Sequence, residues 1–293
     1  MRHMAPSRTL AAALAILGVL APRAAEAYCR ASTCEPSGTR CTPEQAEDCG
    51  VAIKWTRPCV GISVQKDASK KISLYDARTA LHRAFVSWQE AKCDGGGAPG
   101  VSVQDLGAVE CDQVEYNGKA GNANVVVFRD TKWPHPSGPH NIALTTVTYD
   151  TKSGEIFDAD MEINVAQYQL TMEDATADYD LQSVFTHEAG HFLGLAHSPD
   201  SSATMFAVYT PGSTAFRSLA ADDVAGVCAV YPAQTIDPAK CNVLPRHGFS
   251  PACAEKQTEG SCALRGPATR DGAVGIVALG LAVFALRRRR RGA

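Results

Sequence analysis

The amino-acid sequence predicts an α+β domain on three observations. The runs Ala143 to Tyr149 and Glu155 to Val165 flank Asp150-Thr151-Lys152-Ser153-Gly154, so they read as the two strands of a hairpin with its glycine in a turn position. Three other stretches repeat apolar residues at the spacing of a helix with one buried face. The chain between residues 54 and 233 is also long enough to close one full-sized domain around a sizeable core.

The elements follow in order. Val60 to Val64 reads as a first strand. Ala77, Leu81, Ala84, Phe85 and Trp88 then recur on one helical face, and Asp94-Gly95-Gly96-Gly97 ends that helix. Val125-Val126-Val127-Phe128 is short and wholly apolar, as a buried strand is. The second hairpin strand alternates. It puts Phe157, Ala159, Met161 and Ile163 on one face and Asp158, Asp160, Glu162 and Asn164 on the other. Leu181 to Leu195 is the second helix. The third starts after Ser218, the expected N-cap, with Asp222 and Asp223 in its first turns, where the helix dipole favours acids. Its apolar face is Leu219, Val224, Val227, Cys228 and Tyr231, and Pro232 ends it.

The second helix carries the chemistry. His187 and His191 lie one turn apart, so both imidazoles leave the same face and can share a metal ion. Glu188 sits between them, angled away from the ion but close enough to take a proton from water there. Gly194 lets the helix end and the backbone swing through a left-handed turn, after which His197 can point back as a third ligand. Three neutral imidazoles and one open position describe a catalytic zinc site rather than a closed structural one.

The run His187-Glu188-Ala189-Gly190-His191-Phe192-Leu193-Gly194-Leu195-Ala196-His197 resembles the HExxHxxGxxH signature of the metzincin metalloproteases, and Met205 resembles their Met-turn methionine. His197-Ser198, the run Leu219 to Val227, the helix with Phe85 and Trp88, and the strand Phe157-Asp158-Ala159-Asp160 are similar to the matrixin branch. The resemblance implies a twisted mixed five-stranded sheet, three main helices and a zinc cleft in which a substrate lies extended along the edge strand. It further implies Zn²⁺ as cofactor, a peptide or protein substrate, and cleavage of peptide bonds in extracellular proteins with Glu188 as general base. A catalytically silent binding or adhesion module on the same fold is the alternative; such a module has no need of Glu188. A non-proteolytic zinc hydrolase is a third, minor reading.

The sequence departs from the resemblance in places. Astacins and serralysins carry a tyrosine two residues past the Met-turn methionine, where this chain has Ala207. Thr145-Thr146-Val147-Thr148 stands where a matrixin's structural-zinc histidine is expected, and His135 and His140 read as surface residues of a Pro- and Gly-rich loop, with metal binding as the alternative. Asp158, Asp160 and Glu162 are candidates to hold Ca²⁺, with a solvated polar face as the alternative. Arg57-Pro58-Cys59 superficially resembles the matrixin propeptide switch, but its order differs and Cys59 reads as a disulfide cysteine.

The ends are patterned too. Arg2 and Arg8, the apolar run Leu10 to Leu20 and Ala25-Glu26-Ala27 read as a secretory signal peptide over residues 1–27. A Cys-rich segment, 28–53, precedes the catalytic domain at 54–233, and a Cys-containing stalk is expected over 234–262. Residues 263–293 hold the uncharged run Gly272 to Leu286 and then five arginines, Arg287 to Arg291. Together with Cys262 they resemble the C-terminal sorting signals of myxobacterial surface proteins, which implies attachment to the cell envelope; a plain transmembrane anchor is the other reading. Either way the body is expected outside the cytoplasm, exported and held at the surface or secreted.

Eleven cysteines in an exported chain suggest a disulfide framework, and setting Cys262 aside leaves ten, enough for five bridges. The net charge is −3 and no basic cluster precedes the terminal arginines, so nucleic acid is not an expected partner. A monomer is expected.

Overall fold

The computed structural model describes residues 28–34, 50–174, 178–237, 240–254 and 274–281. Residues 1–27, where a signal peptide is expected, Cys41, Cys49, Cys262 and the terminal arginines lie outside the described residues.

Strand β1 (Cys59–Gln65) is buried along its whole length, as its apolar run requires. Helix α1 (Leu74–Gln89) starts where the Ser73 side chain accepts the Asp76 N–H, and it buries Ala77, Ala80, Leu81, Ala84, Phe85 and Trp88. Strands β2 (Ser102–Val109), β3 (Val125–Phe128), β4 (Ala143–Asp150) and β5 (Ile156–Ile163) follow. A two-residue parallel pair, β6 (Leu170–Thr171) and β7 (Tyr179–Asp180), leads into helix α2 (Leu181–Phe192). Helix α3 (Ala221–Val230) closes the domain, and β8 (Val274–Leu279) joins from the C-terminal segment.

The sheet order is β2-β1-β3-β5-β4-β8. The β1–β2, β1–β3 and β3–β5 pairs are parallel; β4 is antiparallel to β5 and to β8. The expected mixed sheet of five strands is present, and β8 adds a sixth beyond β4. Helices α1 and α2 are locked together through Trp88, which is fully buried and whose indole N–H donates to Thr186 O at 2.8 Å. Trp55 does the same at the other end of α2, donating to Phe192 O at 2.8 Å. Burying an aromatic side chain of this kind is worth about 2–3 kcal/mol, and the indole's one polar atom is satisfied in both cases.

The start of the third helix differs from expectation. Ala220, not Ser218, is the N-cap. An alanine has no side-chain acceptor, so the missing cap comes from inside the helix: Asp223 reaches back and accepts the Ala220 N–H at 2.8 Å.

Three disulfides staple distant parts of the chain: Cys59–Cys241, Cys93–Cys228 and Cys111–Cys253, while Cys29 and Cys34 are also disulfide-bonded. Cys59 is thus a disulfide cysteine. Each of the three closes a loop of more than a hundred residues, which in the chain-entropy account removes about 5 kcal/mol of freedom from the unfolded chain. Two of them hold residues 240–254, part of the 234–262 stretch expected to form a stalk, against the sheet, where Phe249 packs on Val109, Val125 and Val127. No helix among the described residues is long and apolar enough to cross a membrane. The described part of the C-terminal apolar run is the strand β8 and the two residues after it.

Candidate metal centre

Helix α2 is almost wholly buried, so its position is set tightly. Asp180 caps it by accepting the Ser183 N–H at 2.7 Å, and Arg217 grips the same carboxylate through Nε (2.9 Å) and Nη2 (2.6 Å). At Gly190 a Cβ would lie 2.2 Å from Met205 Sδ and 2.8 Å from the Trp88 ring. The missing side chain therefore lets Met205 lie directly beneath the helix. Met205 is held in turn by Asp223, which takes the N–H groups of Thr204 (2.7 Å) and Met205 (3.0 Å) as well as that of Ala220.

The helix ends where the sequence requires. Gly194 has φ +87°, the left-handed region that favours glycine. A Cβ there would also lie 2.1 Å from Ile53 O. The turn carries His197 back over α2, where the His187, His191 and His197 rings stand 4.7–5.2 Å apart by centroid. Their candidate ligand atoms all lie within 4.8 Å of one another, and His191 Nε2 is 3.2 Å from His197 Nε2.

Hydrogen bonds fix which nitrogens are free. His187 Nδ1 meets Thr204 O at 2.6 Å and His191 Nδ1 meets Leu195 O at 2.9 Å. A carbonyl can only accept, so each Nδ1 carries the proton and each Nε2 keeps its lone pair. His187 Nε2 is buried with no hydrogen-bond partner. An orphaned lone pair beside two other imidazoles is costly unless a cation completes it, and three neutral nitrogens with an open position suit zinc. Burial, and then the neighbouring His197, hold His187 down to about 3; burial holds His197 down to about 4 and His191 well below its usual range. The three therefore stay neutral and able to bind metal at ordinary pH.

The Glu188 carboxylate is held by β4 and by Leu281, just after β8. Its Oε2 accepts the Thr145 hydroxyl at 2.5 Å and its Oε1 accepts Leu281 N–H at 3.3 Å. Burial pushes its carboxyl up to about 8, against the lowering effect of those two hydrogen bonds. A divalent cation alongside would draw it back down.

Among the described residues, the β5 carboxylates neither join this centre nor form a three-residue ligand set of their own. Asp158, Asp160 and Glu162 share a face as expected, but that face is buried rather than solvated: they are 2%, 1% and 2% exposed. Glu162 is already partnered, ion-paired with Arg129 Nε and hydrogen-bonded to His135 Nε2, each at 2.6 Å. His135 is thus half-buried against a carboxylate, not a free surface histidine. Asp160 accepts Val125 N–H at 2.8 Å and Glu115 N–H at 3.0 Å, while Asp158 Oδ1 has no partner. Burial pushes Asp160 up to about 8; burial and the Asp160 charge together push Asp158 well above the carboxylate range. Two such groups side by side share a proton.

The profile of the Matrixin family matches residues 54–232, more than half of the chain and the whole of the domain just described. The chain belongs to the matrixin family. Among curated proteins, this matrixin is similar to metalloendoproteinase 1 of Glycine max, with 44% identity over 75 residues, 26% of this chain and 24% of the relative. It is 44% identical to human neutrophil collagenase over 61 residues, 21% of this chain and 13% of the relative. Over a longer stretch of 157 residues it is 29% identical to matrix metalloproteinase-A of Caenorhabditis elegans, covering 52% of this chain and 25% of that one. The matrixin thus spans about a quarter or less of the length of these relatives.

Three contributors to the centre were not read from the sequence. Thr145 lies in the strand noted only for lacking a histidine. Asp223 reads in the sequence as an acid favoured by the helix dipole, although an acid at the third helical position with no polar N-cap before it also signals a reach-back cap. Leu281 lies in a run whose apolar composition has no period that points to this cleft.

Proposed function

We propose that this matrixin is a zinc-dependent endopeptidase that cleaves extended segments of extracellular proteins. The observation that carries the reading is the convergence of His187, His191 and His197, two of them with Nδ1 tied to backbone carbonyls, beside the Glu188 carboxylate. Zinc held there supplies a Lewis acid that polarises a scissile carbonyl and acidifies water. The chain does the rest. The buried imidazoles stay neutral and hold their orientation through Thr204 O and Leu195 O. Glu188 takes the proton of the attacking water and passes it to the leaving amine, with Thr145 fixing its carboxylate. Strand β4, at the edge of the five-strand core, offers main-chain groups to an extended substrate. Disulfides in the domain suit an oxidising compartment, which supports substrates outside the cytoplasm.

The test combines metal analysis with digestion of a peptide library by the wild-type chain, with and without chelator, and by Glu188→Gln. The expected result is one zinc per chain and cleavage lost on chelation. In Glu188→Gln, zinc should be retained and the rate should fall roughly 100- to 10,000-fold, the usual contribution of a general base. Undiminished cleavage in Glu188→Gln refutes its role. Zinc and peptide binding without cleavage of any peptide, both by the wild type and by a Leu281→Asp variant that frees the cleft, favours the silent binding module instead.

A further inference from the structure

The β4 edge is covered by part of the chain itself. Strand β8 lies antiparallel on β4 from Asp150↔Val274 to Thr145↔Leu279. The pairing runs on past the strand, with Ile142 N–H donating to Leu281 O at 2.7 Å. This is the geometry in which an extended peptide adds to a sheet edge. The added strand also ends at the candidate metal centre. The Gly280 backbone hydrogen-bonds His197, Leu281 N–H donates to Glu188 Oε1, and Leu281 is fully buried.

The register is built in. At Gly280 a Cβ would lie 2.5 Å from Ala143 O, a backbone atom that cannot swing aside. At Gly275 it would lie 2.5 Å from the Tyr149 ring. The two glycines therefore let this strand approach β4 closely at both ends. The segment Val274 to Leu281 carries no charge, as suits a strand entering a buried site. In sequence, residues 255–273 separate it from the last described residue of the domain, Ala254.

We propose that residues 274–281 are an intramolecular ligand of the cleft, a substrate-like strand that holds the enzyme in a self-blocked state. The proposal rests on the endopeptidase reading of the site. The strand blocks in two ways. It takes the β4 main-chain groups a substrate would use, and it caps the general base. With Thr145 on one Glu188 oxygen and Leu281 N–H on the other, each oxygen already has a donor where attacking water must place its proton. The same contacts describe the ligand class the cleft accepts: an extended, uncharged, apolar segment with a glycine then a leucine at the metal centre.

The test uses the full chain as wild type, as Gly280→Val, whose side chain meets Ala143 O, and as Leu281→Asp, which sets a carboxylate beside Glu188. Two readouts are taken: hydrogen exchange of residues 143–150, and initial rate on the peptide library. The expected result in both variants is exchange and cleavage each at least ten-fold faster than wild type, with a synthetic peptide of residues 272–283 restoring inhibition of Gly280→Val. Unchanged exchange overturns the docking. Faster exchange with an unchanged rate overturns the block while leaving the endopeptidase reading intact. Faster exchange with no cleavage by any zinc-loaded form overturns the endopeptidase reading, and the block falls with it.

Discussion

Replacing Gly194 by alanine tests the geometry on which the metal centre stands. Two costs arise, and both follow from the structure. The residue sits at φ +87°, where a Cβ costs about 1–2 kcal/mol. That Cβ would also lie 2.1 Å from Ile53 O. Ile53 cannot retreat, because its N–H is bonded to Ala31 O at 2.8 Å and Ala31 N–H is bonded back to Gly194 O at 2.9 Å. Relieving such overpacking costs a further 1–3 kcal/mol or so. A total of about 2–5 kcal/mol lowers Tm by about 10 °C in a domain of this size, at 2–4 °C per kcal/mol. The turn that must move also carries His197, so zinc affinity should fall by 10- to 100-fold or more, the range found when support of a ligand is lost. Thermal melts of the zinc-free protein and a competitive zinc titration read the two effects separately. Gly194→Asn separates the causes: asparagine tolerates the left-handed turn, yet its Cβ meets the same carbonyl. A variant Gly194→Ala that melts within about 2 °C of wild type and binds zinc equally well would refute the reasoning.

Two further outcomes are expected. Asp158 and Asp160 both have carboxyl groups raised by burial, so the folded state keeps a proton that the unfolded state releases near pH 4; stability is therefore fully present below that pH and falls as pH rises towards about 8. The buried histidines act oppositely but only below about pH 6.5; in thermal melts between pH 6.5 and 8 the loss comes from the raised carboxyls, Glu188 among them, and Asp158→Asn should remove the aspartate pair's share of the slope, about 1.4 kcal/mol per pH unit. Wild-type and Asp158→Asn slopes that coincide would dismiss the shared proton, and a slope abolished by added Ca²⁺ would assign the pair to a cation. Thr145→Val removes the hydroxyl that fixes Glu188 without changing the shape of the side chain, and kcat should drop about ten-fold, the worth of one hydrogen bond to a charged group, with KM little altered and Thr145→Ser restoring the rate. Equal kcat for threonine and valine would remove Thr145 from the machinery.

The fold and the metal centre were legible because both depend on short-range rules. His187 and His191 meet through helical spacing, and His197 joins them through one glycine whose φ the residue type announces. The hairpin was legible from a turn, and α1 from its apolar face. What escaped depends on contacts between distant residues. The Thr145 hydroxyl meets Glu188 only because β4 lies beside α2, and nothing near position 145 encodes that neighbour. The β5 carboxylates show the same limit. Alternation placed three acids on one face, but contacts from the 112–135 region help bury it. Those contacts give Glu162 to Arg129 and His135 and leave Asp158 beside Asp160.

The C-terminal apolar run marks where sequence reasoning is degenerate rather than weak. A stretch without charges satisfies a bilayer and a protein cleft alike, since each rewards removal of apolar surface from water. They differ in the backbone. A bilayer demands that every N–H and C=O be paired within the segment or a closed barrel, whereas the edge of β4 supplies partners for a single extended strand. Glycines at 275 and 280 weaken a helix yet permit close approach to β4, where a Cβ at Gly280 would strike Ala143 O. Because those eight residues cannot pair with β4 and lie in a membrane at once, whatever captures the segment elsewhere also uncovers Glu188. Control of the cleft would then reside in the fate of the C-terminal segment rather than in any residue of the catalytic helix.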